Sequence, residues 1–317
     1  MKQYAIITDS NLATLYKKEL SELYPKSFLC VMLSGEKSKN LTTIEKLAKK
    51  LTEKNFSKSD TLVAFGGGVV GDITGLLASL YMRGVAFINI PTTLLAMCDA
   101  SIGGKNGVDT VGGKNMLGTF YHPEAVITQP KYLKTLSRDE IKNGLAEAIK
   151  MAITSDKKLF NFIEQNREKI LKKDIPTLSK IITRCIEIKR KIVESDEKDE
   201  GTRHILNYGH TIGHAIEKAS GYTIKHGAAV ALGMLYENQI ALNKKTIQKK
   251  DGDRIQKIFT DFGLIEKKKM PSMKKIQAAI MRDKKRRNTA IHLYLPVTIG
   301  SAQTYDISIK DIYAVLI

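Results

Sequence analysis

The sequence predicts an α/β N-terminal domain built on a parallel sheet, followed by a mainly α-helical C-terminal domain. Three observations carry this. The first third alternates β-like apolar runs with helical patterns of about ten to fifteen residues, the signature of strands joined by crossover helices. From about Ser137 onward helical periodicity dominates and strand signals are sparse. The 317 residues suffice for two domains of ordinary size with ample core. We place these domains at residues 1–132 and 133–317, joined near 128–136.

In order, the N-terminal part reads as "YAIIT", a helix near 11–24, "FLCVML", a helix near 41–54, "TLVAFGG", a helix near 70–81 and "AFINIPT". Helical spacing then predicts helices over 137–153, 156–171, 175–196, 208–220, 226–243, 251–262 and 272–283. The segment "AIHLYLPVTIG" near the end reads as a strand or an extended hairpin. No internal repeat, Pro-rich linker or low-complexity stretch interrupts the pattern.

Apolar residues make up 43% and charged residues 26% of the chain, as in a soluble globular protein. No apolar run approaches the roughly 20 residues that cross a bilayer, so no membrane association is expected. The start "MKQYAIITDSN" lacks a charged leader with a long apolar region, so no secretory signal is expected. Cys30, Cys98 and Cys185 are far apart and form no CxxC pair, which suits reduced thiols in a cytoplasmic protein. The net charge of +18 raises the question of a nucleic-acid partner. Lysine is spread along the whole chain, without basic–aromatic interleaving or zinc-finger spacing, so we expect no nucleic-acid partner. Part of the charge can instead serve a small anionic substrate.

The stretch "TLVAFGGGVVGDITG" runs from a strand through Gly66, Gly67 and Gly68 into a helix. Glycines there let backbone approach a ligand closely, and a helix N-terminus aims free N–H groups at phosphate. The spacing is G-G-G-x-x-G, not the G-x-G-x-x-G dinucleotide fingerprint, so a plain tight turn is the competing reading. Downstream, Arg83, Asp99, Lys105, Lys114 and Asn115 stand among glycine-rich turns in an otherwise buried-looking region. Charge is rarely buried without a partner. The two Gly-Gly-Lys repeats can present ammonium groups to an anion, or be solvated loops.

In "NGLAEAIKMAI", Glu147 and Lys150 fall on one side of an otherwise apolar helix. They form an internal ion pair, or a carboxylate metal ligand with an ammonium beside it. In "NYGHTIGHAIE", His210 and His214 are four apart on one helical face, and His226 lies twelve residues on. The intervening Thr211, Ile212 and Gly213 exclude the His-Glu-x-x-His protease motif. Shared ligation, divided roles and no metal at all stay open for the pair. One carboxylate with two histidines is a familiar catalytic zinc set that leaves a position for substrate.

The blocks "GGGVVGDITG", "RGVAFINIPTTLLAMCDASIGGKNG", "GKNMLGTFYHP", "GLAEAIK", "LNYGHTIGHAIE" and "HGAAVALGM", in this order and spacing, resemble the 3-dehydroquinate synthase family. The match runs from "GEKSKN" at residue 35 to "DKK" at 283–285. The resemblance implies a dehydroquinate synthase-like fold, with a Rossmann-like parallel sheet and a helical second domain. It implies a divalent metal, zinc or cobalt, held by Glu147, His210 and His226, which leaves His214 to substrate. It implies NAD near Asp9, Asn11, Glu36, Lys39, Gly67, Gly68, Val69, Asp72, Thr92, Thr93, Asp99, Lys105, Lys114 and Thr135.

The implied substrate is a small sugar acid with one phosphate and one carboxylate, 3-deoxy-arabino-heptulosonate 7-phosphate. Its phosphate falls to Lys105, Asn115, Asn207, His214 and Lys284 of "DKK", and its carboxylate end to Lys150, Lys189 and Arg203. A homodimer is implied, with Arg83 reaching across its interface. Two departures stand out: a strand segment that usually precedes "AIITDSN" is lacking, and "GVDTVGGKN" replaces an Asn-His-Pro-Leu-Gly form. The alternatives are another sugar-phosphate cyclase, against which His214 and Asn115 weigh, and a metal-dependent polyol dehydrogenase, which would not need so many anion-binding lysines.

Overall fold

A computed structural model describes residues 2–25, 27–265, 270–284 and 290–316. The chain divides into two compact units, Met1–Thr135 and Leu136–Ile317.

Unit 1 is wound strand by helix: β1 (Tyr4–Asp9), α1 (Ser10–Leu23), β2 (Phe28–Met32), α2 (Leu41–Glu53), β3 (Thr61–Gly66), α3 (Gly68–Leu80) and β4 (Ala86–Pro91). Local chemistry starts the helices. Asp9 caps α1 by accepting from the N–H groups of Asn11 and Leu12 at 2.9 and 3.0 Å, and Asn40 caps α2 by accepting from Thr43 N–H at 2.9 Å. With β7 (Ala125–Val126) the strands form a parallel sheet in the order β2-β1-β3-β4-β7. All six residues of β3 are buried, as a central strand requires. Ile7, Leu62, Ala64, Ile73, Leu77 and Phe87 anchor one apolar core on this sheet.

One segment differs from the sequence reading. The region expected as glycine-rich turns is an antiparallel hairpin, β5 (Lys105–Thr110) and β6 (Gly113–Phe120). Its glycines serve strand contact: Gly107 and Gly118 are register partners, and a Cβ on Gly118 would lie 2.1 Å from the Asn106 carbonyl oxygen.

Unit 2 contains α4 (Arg138–Ser155), α5 (Lys157–Gln165), α6 (Arg167–Leu171), α7 (Ile175–Ser195), α8 (His210–Ala219), α9 (His226–Asn243), α10 (Lys249–Asp261) and α11 (Met273–Lys284). The hairpin β8 (Ala290–Thr298) and β9 (Ser301–Ser308) and helix α12 (Ile309–Val315) complete it. Helix α4 is buried continuously from Gly144 to Thr154, which makes it the axis of the unit. The expected single helix over 156–171 is two, broken at Asn166, whose φ of −105° and ψ of 23° leave the helical region. Helix α8 starts two residues later than expected because Gly209 is left-handed, with φ +79°.

Cys30 on β2, Cys98 in unit 1 and Cys185 on α7 are each fully buried. Among the described residues no helix is long and apolar enough to cross a membrane.

Candidate active site

Three helices of unit 2 bring one carboxylate and three imidazoles together. Glu147 on α4 is fully buried, and its Oε1 lies 3.5 Å from His210 Nε2 and 3.4 Å from His226 Nε2. Lys150, one turn along α4, contacts the other carboxylate oxygen. The ring centroids of His210 and His214 are 5.2 Å apart, and those of His210 and His226 are 5.4 Å apart. The ligand atoms of Glu147, His210 and His226 all fall within 4.8 Å of one another.

The electrostatics suit a cation. Burial alone would raise the Glu147 pKa, but Lys150, His210 and His226 outweigh it and hold the carboxyl well below its ordinary value. Burial, helped by Lys150, pushes His210 down to about 3, so its imidazole is neutral. His210 Nδ1 lies 3.2 Å from the Tyr208 carbonyl oxygen, which can only accept, so Nδ1 carries the proton and Nε2 offers a lone pair towards Glu147. His226 is raised to about 9: burial opposes its charge, but the carboxylates of Glu147 and Glu217 prevail. Glu147 Oε2 is taken by Lys150, while Oε1, which faces both Nε2 atoms, is buried without a regular hydrogen bond among the described residues. A carboxylate so placed, with two Nε2 atoms beside it, fits a divalent cation completing the cluster.

His214 stands on the same helix but outside this triad; its near neighbours in a second ligand-like group are Glu217 and His226. Sequence reading passes over Glu217, although it follows His214 by three residues on an apolar helix, the same signal that singles out Glu147 and Lys150. Lys189 on α7 and Arg203 in the 3-10 segment Thr202–Asn207 are buried cations. Arg203 is held by its N–H to Asp196 Oδ2 at 3.0 Å and by Nη1 to the Glu197 carbonyl at 2.7 Å. Asn207 closes that segment and is exposed. Lys284 ends α11, and its side chain lies outside the described residues.

In unit 1 the expected cofactor residues gather at the carboxyl ends of β1, β3 and β4, where open α/β sheets bind ligands. Asp9 ends β1, Gly67 and Gly68 follow β3, and Thr92 and Thr93 follow β4. A Cβ on Gly67 would lie 3.0 Å from Thr93 Cγ2, so backbone and threonine already meet there. Gly67 caps α3 without any side-chain hydrogen bond, which leaves the first N–H groups of this helix, beginning with Gly68 and Val69, to an anion such as a pyrophosphate. Lys39 joins Asp72 and Asn115, its Nζ 2.5 Å from an oxygen of each, while Lys114 lies 3.6 Å from Glu36. Burial raises the Asp72 pKa, and Lys39 opposes it.

Asn115, expected with substrate phosphate, therefore shares a network with the residues expected around NAD. Thr135 bonds Tyr16 at 2.7 Å, Asn11 lies in the first turn of α1, and Asp99 lies in a π-helical turn, Ala96–Ala100. For Lys105, Asn115 and Lys284, a role at substrate phosphate rests on the motif match alone. Arg83 is exposed, and with Met82 and Gly84 it forms three consecutive positive-φ residues, 47°, 61° and 116°. Such strained backbone concentrates at functional positions.

Comparison with known proteins bears on the whole chain. Residues 29–143 match the family model described as 3-dehydroquinate synthase N-terminal, and residues 144–286 match 3-dehydroquinate synthase C-terminal. The chain belongs to the 3-dehydroquinate synthase family. Family relatives include the 3-dehydroquinate synthase of Campylobacter curvus, 42% identical over 98% of this chain and 90% of its own length. That of Dictyoglomus thermophilum is 42% identical over 98% and 87%. Among solved structures, 2-epi-5-epi-valiolone synthase from Streptomyces hygroscopicus subsp. jinggangensis, with NAD+ and Zn2+ bound, matches at TM-score 0.92 and 27% identity, covering 99% of this chain and 90% of that one. A 2-deoxy-scyllo-inosose synthase complexed with carbaglucose-6-phosphate, NAD+ and Co2+ matches at 0.91 and 25%, covering 100% and 90%. An iron-containing alcohol dehydrogenase, at 0.69 and 16%, shares the fold alone.

Proposed function

We propose that the chain is a 3-dehydroquinate synthase, a carbon–oxygen lyase of the shikimate pathway that converts 3-deoxy-arabino-heptulosonate 7-phosphate into 3-dehydroquinate and inorganic phosphate. The observation that carries this is the buried cluster of Glu147, His210 and His226 with Lys150 at its side, in a chain both halves of which match the family. When bound, NAD supplies a reversible hydride acceptor and a zinc or cobalt ion a Lewis acid for a substrate hydroxyl.

The chain's own residues do the rest. Glu147, His210 and His226 hold the cation, which takes the place of the His226 Nε2 proton, and one carboxylate with two imidazoles leaves coordination positions for substrate. Lys150, Lys189 and Arg203 take the substrate carboxylate end, where buried cations form charge-assisted hydrogen bonds stronger than neutral ones. Asn207 and His214 take phosphate, with Lys105, Asn115 and Lys284. Oxidation at the hydroxyl-bearing carbon acidifies the neighbouring C–H. The proton passes to an oxygen of the substrate's own phosphate, the C–O bond breaks, and phosphate leaves with its electron pair. Reduction, ring opening and an internal aldol C–C bond then give the carbocycle, so no net oxidant is consumed.

In unit 1, Glu36, Lys39, Gly67, Gly68, Asp72, Thr92, Thr93, Asp99 and Lys114 hold NAD, with Asp9, Asn11, Val69, Lys105 and Thr135. A homodimer is supported by Leu80 and Met82, each about half exposed beside Arg83 in the sequence. The three buried thiols suit a reducing cytoplasm.

The test is phosphate release from 3-deoxy-arabino-heptulosonate 7-phosphate by purified protein with NAD and zinc, repeated after chelation, with the product identified by mass and NMR. Chelator-sensitive release with 3-dehydroquinate as product supports the proposal. A different carbocycle, from this or another sugar phosphate, would move the chain to a sister cyclase.

A further inference from the structure

Two buried carboxylates stand outside the triad, on the helix pair that carries both histidine ligands proposed above. Glu217, on α8, is 3% exposed, and its Oε2 lies 3.2 Å from Nδ1 of His226, the first residue of α9. A carboxylate accepts, so Nδ1 donates to it and Nε2 is the ring atom left facing Glu147, 3.4 Å away. Glu237, on α9, is fully buried, and its Oε2 accepts the Gly209 N–H at 2.7 Å. Gly209 is the N-cap of α8 and has no side chain to close the helix, so the carboxyl oxygen from α9 accepts at the helix end in its place.

The residue beside Gly209 extends this hold. Tyr208 donates its hydroxyl to the Met234 carbonyl of α9 at 3.1 Å, and its own carbonyl orients His210 Nδ1 at 3.2 Å. The helices leave no slack between them: a Cβ on Gly233 of α9 would sit 1.9 Å from the Gly209 carbonyl oxygen.

We infer that Glu217 and Glu237 are positioning residues of the cation site, each standing on one helix of the pair and holding the ligand carried by the other. Glu217 fixes the ring of His226, and Glu237 fixes the turn from which His210 starts. The inference rests on the proposed ligand triad. Hydrogen-bond partners behind metal ligands typically set metal affinity by about ten- to a hundredfold. The rival assignment, with Glu217 itself ligating a cation beside His214 and His226, shares Glu217 and His226 with this one and is separated by the choice of variants.

The experiment is competition of full-length protein with a chromogenic chelator for Zn2+, with the visible absorption of Co2+ as the second readout. It compares the parent with Glu217→Ala, Glu217→Gln, Glu237→Ala and Glu237→Gln, and thermal melts of the metal-free proteins report folding. We expect both Ala variants to lose about ten- to a hundredfold in affinity and to shift the Co2+ bands. The Gln variants, whose amide oxygen still accepts the same N–H, should return to within about threefold of the parent. Glu237→Leu, which occupies similar volume without an acceptor, replaces Glu237→Ala if the latter does not fold.

Parental affinity in the Ala variants overturns the inference. So does a Glu217→Gln variant as weak as Glu217→Ala, because an amide that accepts a hydrogen bond is still a poor metal ligand. A parent that binds no cation, or a His210→Ala variant that binds as well as the parent, instead overturns the triad.

Discussion

His210 and His214 share a helical face, His210 Nε2 lies 3.5 Å from Glu147 Oε1, and the chemistry of the two histidines should differ accordingly. His210→Ala should lower metal affinity by more than about a hundredfold, beyond the loss typical of residues behind the ligands, and abolish turnover. His214→Ala should keep the metal and raise KM for the phosphate-bearing substrate. Metal analysis of the two variants beside steady-state kinetics checks both. The spacing of four left their roles open because i and i+4 geometry is the same for shared and divided ligation; the distinction comes from α4, more than sixty residues earlier in the chain. Asp196 is a residue that the sequence did not mark. It accepts from the N–H groups of Glu200, Gly201 and Arg203 at 3.0, 2.7 and 3.0 Å, and those bonds, Glu200 first, hold its pKa down to about 2. Its folded-state pKa lies below the ordinary 3.8, so its contribution to stability is present above pH 3.8 and is lost as pH falls through about 2. The melting difference between parent and Asp196→Ala should therefore be widest above pH 3.8 and narrow towards pH 2.

At the scale of elements, the crossing of α8 and α9 depends on backbone approaching backbone. Gly233→Ala would place a methyl 1.9 Å from the Gly209 carbonyl oxygen, which no rotamer change relieves, and should destabilise the protein by about 3 kcal/mol, the upper range for overpacking. Denaturant midpoints check the stability, and the chelator titration should show weaker metal binding, since both ligand-bearing helices must separate. Helices were the most legible elements, because Asp9, Asn40, Ser137 and Asp174 each cap one with a side-chain oxygen and apolar spacing continues from there. The break at Asn166 was not legible, since apolar positions keep their period on both sides of it. The hairpin β5–β6 was hidden for the opposite reason: Gly107, Gly113 and Gly118 stand where alternating side chains would have announced strands.

For the whole molecule, a net charge of +18 and a substrate bearing several negative charges predict electrostatic steering. The ratio kcat/KM should fall roughly tenfold as ionic strength rises from about 0.05 to about 0.5 M, with kcat nearly constant. Steady-state rates in sodium chloride, with a neutral osmolyte as control, check this. The family and the two-part plan were legible because six motif blocks keep their order across the chain, several of them at turns or helix ends. What holds those ends was not, because Glu217, Glu237 and Asp196 act through backbone groups and rings that sequence spacing does not bring together. The buried cysteines have a practical consequence. Cys30 and Cys98 lie in unit 1 and Cys185 in unit 2, all at 0% exposure, so a thiol-reactive dye can label the protein only when the surrounding structure opens. Variants retaining one cysteine each would thus act as internal clocks, whose labelling rates read the local opening free energy of either unit without any added probe.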